Sequence, residues 1–382
     1  MLDFTFFSPT RFFFGKGMEN RAGEAAAAIG SKKVLLHSGG GSAERSGLLA
    51  RVRQSLAEAG IEYVELAGVV PNPELDLVYT GIELARAENV DLILSAGGGS
   101  AADSAKAIAA GVPYDGDVWD FYIGKAQPAK VLPIATIITL AATGSEGSNS
   151  SVITKRMGDT VHKRGLNSDL IRPTFSILNP ELTYTLPDYQ LAAGATDMIV
   201  HVLERYITNT ADVDLTDRLA EALMQSVMIA APQALADHED YASHATLLWA
   251  GNLAHNNTVG VGREHDWSSH QIEHEISAYY GATHGAGLAV LVPAFMTYTL
   301  STNVTRYVQF ATRVMGVPND PGHPEAVARE GVRRFRSFLD SLGMPDNLRA
   351  FGVKEEDIPG LARGVRRTNG EFVGFFQPLR QE

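Results

Sequence analysis

At 382 residues the chain is longer than one ordinary core, and roughly 150 residues per domain predicts two or three. Hydrophobic residues make up 45% and charged residues 20%, and a net charge of −12 without any Lys/Arg stripe argues against a nucleic-acid or anionic-membrane partner. The absence of cysteine excludes disulfides and thiolate ligands together, so any metal must be held by nitrogen and oxygen.

The N-terminal stretch MLDFTFFSPTRFFFGKG is aromatic but interrupted by Ser8, Pro9 and Arg11, with no basic leader region or small-residue cleavage site. The longest apolar run, GAGLAVLVPAFM, falls short of the roughly 18 residues that span a bilayer. The expectation is a cytoplasmic protein with no membrane partner. KKVLLHS (32–38) then reads as a buried strand ending in Gly39, Gly40, Gly41 and Ser42. A helical pattern in LLARVRQSLAEAG, a strand in IEYVELAG and a second helix in LDLVYTGIELARAEN follow. VDLILSA (90–96) is another strand, closed by Gly97, Gly98, Gly99 and Ser100 and continued by the helix AADSAKAIAAG. VLPIATIITL and FSILNP complete the strand signals. Strands alternating with helices predict a Rossmann-like parallel sheet with helices on both faces. From Pro187, well suited to a helix start, the patterns are helical: YQLAAGATDMIVHVLERYIT, LTDRLAEALMQSVMIAAPQAL, HATLLWAGNLAH and VRRFRSFLDSLG. The predicted division is an α/β dinucleotide-binding domain over 1–185 and an all-helical metal-binding and catalytic domain over 186–382.

In an open parallel sheet, ligands bind at the carboxyl ends of the strands. LILSAGGGSAADSAKA is strand, tight glycine turn and helix, in which glycine lets the backbone approach a phosphate and the helix start offers free N–H groups. It is neither GxGxxG nor a Walker loop, and a plain αβ turn is the bland alternative. TLAATGSEGSNSSVIT (139–154) reads as a hydroxyl-rich loop after a buried strand, a lining for a polar ligand or simply a solvated loop. After the strand ending at Gly39–Ser42 no carboxylate appears until Glu44, and Arg45 is near. Nothing there repels a 2′-phosphate, which favours NADP(H) over NAD(H).

Asp197 and His201 stand at i and i+4 in GATDMIVHVLERY, half of a metal site or an exposed pair. HDWSSHQIEHEISAYYGATH adds His270 and His274, again i and i+4, and His284. Spacing leaves open whether His270, His274 or both ligate, while His265 lies outside the series and reads as a loop residue. One carboxylate with imidazoles suits Zn²⁺ or Fe²⁺, whereas Mg²⁺ and Ca²⁺ prefer all-oxygen shells.

GGGSAADSAKAIA, ATGSE, the Asp–x3–His of ATDMIVHVLERY and DWSSHQIEHEISAYYGATHGAGLAVLVPA together resemble the iron-containing (group III) alcohol dehydrogenases over nearly the whole chain. The likeness is to the butanol dehydrogenase and NADPH-dependent aldehyde reductase branch, and it implies a dehydroquinate synthase-like fold. It also implies metal ligands at Asp197, His201, His270 and His284, with His274 in the pocket near the nicotinamide. Gly97 to Ser100, with Asp103 and Lys106 behind, match the pyrophosphate loop. Thr139, Thr143, Ser145 and Lys163 match further cofactor contacts, and Asn72 lies near the adenosine end. The implied reaction is hydride transfer between the nicotinamide C4 and the carbon of an alcohol or aldehyde whose oxygen meets one divalent ion. His274 is assigned proton transfer, and Asp197 and His270 are counted with it as catalytic. The expected partners are a small alcohol or aldehyde and further copies of the chain, as a homodimer or higher homo-oligomer. Two rivals are an NAD- and metal-dependent lyase of the dehydroquinate synthase type and a metal-dependent hydrolase. The lyase would need a basic cluster that the helical half does not offer.

Overall fold

Strands and helices alternate between Phe7 and Thr185, where the hydrophobic period keeps switching between two and 3.6. The computed structural model describes residues 1–158, 160–367 and 371–380. In chain order the elements of this unit are β1 (Arg11–Phe14), α1 (Ala22–Ala28), β2 (Lys33–Gly39), α2 (Ser42–Arg45), α3 (Leu48–Glu58), β3 (Glu62–Val69) and α4 (Leu75–Ala87). They continue with β4 (Leu92–Gly97), α5 (Gly99–Gly111), α6 (Trp119–Tyr122), β5 (Ile134–Ile138), β6 (Ser150–Met157), β7 (Thr160–Asn167) and β8 (Phe175–Leu178). Six strands pair in the order β1-β8-β5-β4-β2-β3, all parallel. Alternate residues feed two cores. Leu35 and Ile93 face α4, α5 and α6, while Val34, Leu36, Leu92 and Leu94 face α1 and α3.

The chain leaves β2 for β3 on one side and returns to β4 on the other, so the order reverses between β2 and β4. The register sets Ser38 opposite Ala96, which brings the glycine runs after β2 and β4 to one end of two neighbouring strands. That reversal is where sheets of this kind take their ligands.

Three strands are absent from the sequence reading. Arg11–Phe14 is an edge strand paired with β8, hidden because its run of aromatics shows no alternation. The stretch expected as a loop over 139–154 is a loop only to Asn149; its serines then enter β6, which pairs antiparallel with β7 as a separate hairpin.

The second unit comprises Leu186–Glu382 and, with them, Met1–Phe6. The first six residues therefore depart from the expected 1–185 boundary. The Leu2 N–H donates to the Gly262 carbonyl at 2.8 Å, and the Met1 ammonium to that of Ala211 at 2.9 Å. Its helices are α7 (Asp188–Tyr206), α8 (Asp214–Ala236), α9 (Tyr241–His255), α10 (Ser268–Tyr280), α11 (His284–Thr299), α12 (Val304–Arg313), α13 (Pro324–Ser341) and α14 (Ile358–Gly364). α7 starts after Pro187 and is buried at every position from Leu191 to Tyr206. Apolar-run length understates two helices: α8 and the stretch His284–Thr302 are long and apolar enough to cross a membrane by length and composition. About half of each is buried in this unit, 44% and 56%, as expected of core helices.

Candidate metal centre and cofactor loop

Burial of α7 directs Asp197 and His201, one turn apart, into the interior of the helical unit, where they are 2% and 3% exposed. His270 enters from the first turn of α10, and His284 is the first residue of α11. Asp197 Oδ1 lies 3.6 Å from His201 Nδ1, 3.7 Å from His270 Nε2 and 3.8 Å from His284 Nε2. A tetrahedral ion with arms of about 2.1 Å holds its ligands about 3.4 Å apart, close to this spacing. Asp197 Oδ1, His201 Nδ1 and His270 Nε2 are buried and make no hydrogen bond. Leaving such an atom unpaired costs about 1–3 kcal/mol, so three converging on one point call for an ion. The residues fit a single divalent cation with one oxygen and three nitrogen donors.

Burial pushes His201 well below its ordinary value, reinforced by His255, His270, Arg205 and His284. A neutral ring is the ligating form. At His270, burial acts in the same direction but is outweighed by Glu204 and Asp197, which push it up to about 9. An incoming cation therefore displaces a proton there.

In the α/β unit, Gly97 ends β4, Gly98 precedes α5, and Gly99 and Ser100 form its first turn. A Cβ on Gly99 would lie 2.3 Å from Thr143 Oγ1, so only glycine lets the 139–149 loop close on the helix start. The Thr139 N–H donates to the Gly97 carbonyl at 3.0 Å, which joins the two loops. Asp103 accepts from Ser145 Oγ at 2.7 Å and from the Val152 N–H at 3.0 Å. Both of its oxygens and the Ser145 hydroxyl are thus committed to the scaffold, while Thr139 and Thr143 remain accessible. Lys106 lies behind them, fully buried, and donates to Ser148 O, Ser148 Oγ and Ser150 O. Lys163, on β7 opposite Thr154, is also buried. At the neighbouring strand ends, Gly39 closes β2, Gly40 and Gly41 lead to Ser42 at the start of α2, and Asn72 takes a left-handed backbone (φ 56°) after β3.

Models of two families match the chain: iron-containing alcohol dehydrogenase over residues 9–180, and the Fe-containing alcohol dehydrogenase family, C-terminal, over 191–382. The chain belongs to the iron-containing alcohol dehydrogenase family. As such it is an oxidoreductase, and neither the lyase nor the hydrolase alternative is supported. NADH-dependent butanol dehydrogenase A of Clostridium acetobutylicum is 40% identical over 383 residues, covering 100% of this chain and 97% of that protein. NADPH-dependent aldehyde reductase YqhD of Escherichia coli is 32% identical, covering 98% and 95%. The crystal structure of NADH-dependent butanol dehydrogenase A from Thermotoga maritima, 36% identical, superposes with a TM-score of 0.95 over 100% of this chain and 96% of that one.

Around the Asp197, His201, His270 and His284 cluster of this iron-containing alcohol dehydrogenase stand residues that sequence reasoning missed. Glu204 of α7 accepts from His270 Nδ1, and Glu273 of α10 accepts from His284 Nδ1. Their signal was present: Glu204 continues the Asp197, His201 stripe at i+7, and Glu273 lies at i+3 from His270. Polar residues on a buried helix face are ambiguous without their partners. His255 also escaped notice, its ring 4.2 Å from that of His201. His274 sits outside the Asp197 cluster, its ring 5.7 Å from His284, and is partly exposed. His265 instead bonds the Gly260 carbonyl at 2.7 Å, and burial pushes it down to about 4.

Proposed function

We propose that the protein is a metal-dependent, NAD(P)-linked aldehyde reductase or alcohol dehydrogenase, with the α/β unit binding the dinucleotide and the helical unit holding the ion and substrate. The convergence of three buried, unpaired ligand atoms on Asp197, His201 and His270 carries the reading. With His284 these residues hold one Fe²⁺ or Zn²⁺, whose chemistry is Lewis-acid polarisation of the substrate oxygen. The start of α5 offers Gly98, Gly99 and Ser100 N–H groups and a favourable dipole to the pyrophosphate. Thr139 and Thr143 line the same loop, and Lys163 supplies a basic contact. Gly39 to Ser42 and Asn72 meet the adenosine end. His274, beside His284 and partly exposed, moves the alcohol proton through its imidazole, and His274→Ala flattens the pH–rate profile if it does so.

For the cofactor, we favour NADP(H). Glu44, the first carboxylate after β2, is engaged in a two-pronged bond with Arg53, at 3.0 and 2.6 Å, and the Arg45 guanidinium folds beside Gly41. NADH use is the second reading, favoured by relatives at 40–41% identity that are named NADH-dependent. The ratio of kcat/KM for NADPH and NADH with one aldehyde separates them. We further propose a cytoplasmic homodimer or higher homo-oligomer. Its support is the edge strand β1 with Phe14 exposed, together with exposed Phe7, four residues before that strand in the chain. Metal analysis of protein purified without chelator, paired with an aldehyde and alcohol panel, tests the whole reading. A metal-free protein that regains no aldehyde-dependent NAD(P)H oxidation with Fe²⁺ or Zn²⁺ sinks it.

A further inference from the structure

The four proposed ligands come from three helices that have no reason of their own to present them in one orientation. α7 supplies Asp197 and His201, α10 supplies His270, and the start of α11 supplies His284. Two buried carboxylates lace these helices in series. Glu204 reaches from α7 to α10. One oxygen accepts from His270 Nδ1, and the other from the Ser269 N–H at 2.7 Å and the His270 N–H at 3.3 Å. Trp267, the residue before α10, makes no side-chain cap; Asp266 accepts from the Ser268 N–H at 3.0 Å, and Glu204 accepts from the next two N–H groups. Glu273 reaches from α10 to α11 and accepts from His284 Nδ1. It occupies space left by Gly287, where a Cβ would lie 2.8 Å from Glu273 Cγ. Both carboxylates are buried, at 4% and 0% exposure.

We propose that Glu204 and Glu273 are positioning residues that bind Nδ1–H of His270 and His284, turn each Nε2 toward Asp197 Oδ1, and strengthen both imidazoles as donors to the cation. The physical reason is twofold. A hydrogen bond at Nδ1 selects the tautomer whose lone pair sits on Nε2, and it fixes the ring about its Cβ–Cγ bond. A carboxylate acceptor also polarises the ring, which raises its basicity toward a cation. A buried carboxylate is costly when unpaired, and the bonds to His270 and His284 offset that cost at the two glutamates. His201 differs: it faces Asp197 through Nδ1 and is flanked by the rings of His255 and His270, at 4.2 and 4.7 Å. The lacing therefore acts on the two ligands that come from outside α7.

The inference rests on the ligand assignment above, and the experiment keeps the two apart. Zn²⁺ affinity is measured by chelator competition on the full chain for the parent, Glu204→Gln, Glu273→Gln, Glu273→Ala and Asp197→Asn, with melting curves of each variant with and without Zn²⁺. Each glutamate variant should bind Zn²⁺ about 10–100-fold more weakly, and its Zn²⁺-dependent gain in Tm should shrink accordingly. Its metal-free melting curve gives the structural reference. Glu204→Gln, which keeps an acceptor for the start of α10, guards against a variant that fails to fold. Parent-like Zn²⁺ affinity in Glu273→Ala and both glutamine variants overturns the proposal, whether or not the metal-free Tm has fallen. Parent-like affinity in Asp197→Asn instead overturns the ligand assignment itself.

Discussion

Behind the glycine loop, Lys106 is sealed from solvent, yet its ammonium meets Ser148 O, Ser148 Oγ and Ser150 O, and Asp103 meets Ser145 and Val152. Where α7 meets the start of α10 the reverse holds. Asp197, His201 and His270 are as deeply buried, but the atoms they turn toward one another make no hydrogen bond at all. Buried polar groups that complete one another are scaffold, and they hold a loop in shape. Buried polar groups that converge unfinished are directed at a ligand. Burial alone does not distinguish the two clusters; the hydrogen bonds do.

The contrast can be broken by substitution, and the largest effect is expected at its ligand-directed end. Asp197→Asn removes the single anionic donor of the set and should lower aldehyde-dependent NAD(P)H oxidation by about a thousandfold, with bound metal lost in parallel by elemental analysis. Retained metal and activity would place Asp197 among the scaffold residues.

The next effect is on pH. His37 is fully buried on β2, with Nδ1 on the Leu66 carbonyl at 2.9 Å and Nε2 on Ser104 Oγ at 2.8 Å. Burial pushes it down to about 4, with the Leu66 bond opposing. Its folded value is below its unfolded value of about 6.5, so the unfolded chain binds the extra proton and stability falls as pH drops from about 6.5 to 4. The loss is on the order of 3 kcal/mol and should appear as a falling denaturant midpoint, less steep in His37→Gln.

Lys106→Met sharpens the comparison from the scaffold side. It strips three acceptors of their donor and should cost about 2 kcal/mol in thermal or denaturant unfolding, with metal content untouched. Loss of metal in this variant would blur the distinction between the clusters. The smallest effect is expected from Gly99→Ala. Its Cβ meets Thr143 within 2.3 Å, pushes the two loops apart and should weaken dinucleotide binding about tenfold by fluorescence titration, at little cost to the metal.

The sequence by itself determined the parallel sheet, its glycine turns and the helical second half, because these rest on local period and on residues with few conformational options. It also determined the Asp197–His201 pair, since spacing along one helix is a local property. Its order of motifs, read as a resemblance, supplied the family. Several features had no local signal. The edge strand Arg11–Phe14 depends on a partner distant in the chain, β8. The i, i+4 pair His270 and His274 looked equivalent. Spacing alone could not separate them; the resemblance did, and the tertiary structure gives the geometric reason, setting His270 Nε2 3.7 Å from Asp197 while His274 lies beyond His284. The resemblance counts Asp103 and Ser145 among the cofactor contacts, and packing shows that they also bind each other. The two glutamates likewise became visible once α7, α10 and α11 were brought together. A carboxylate's role depends on which donor faces it, and in both cases that donor lies on another helix.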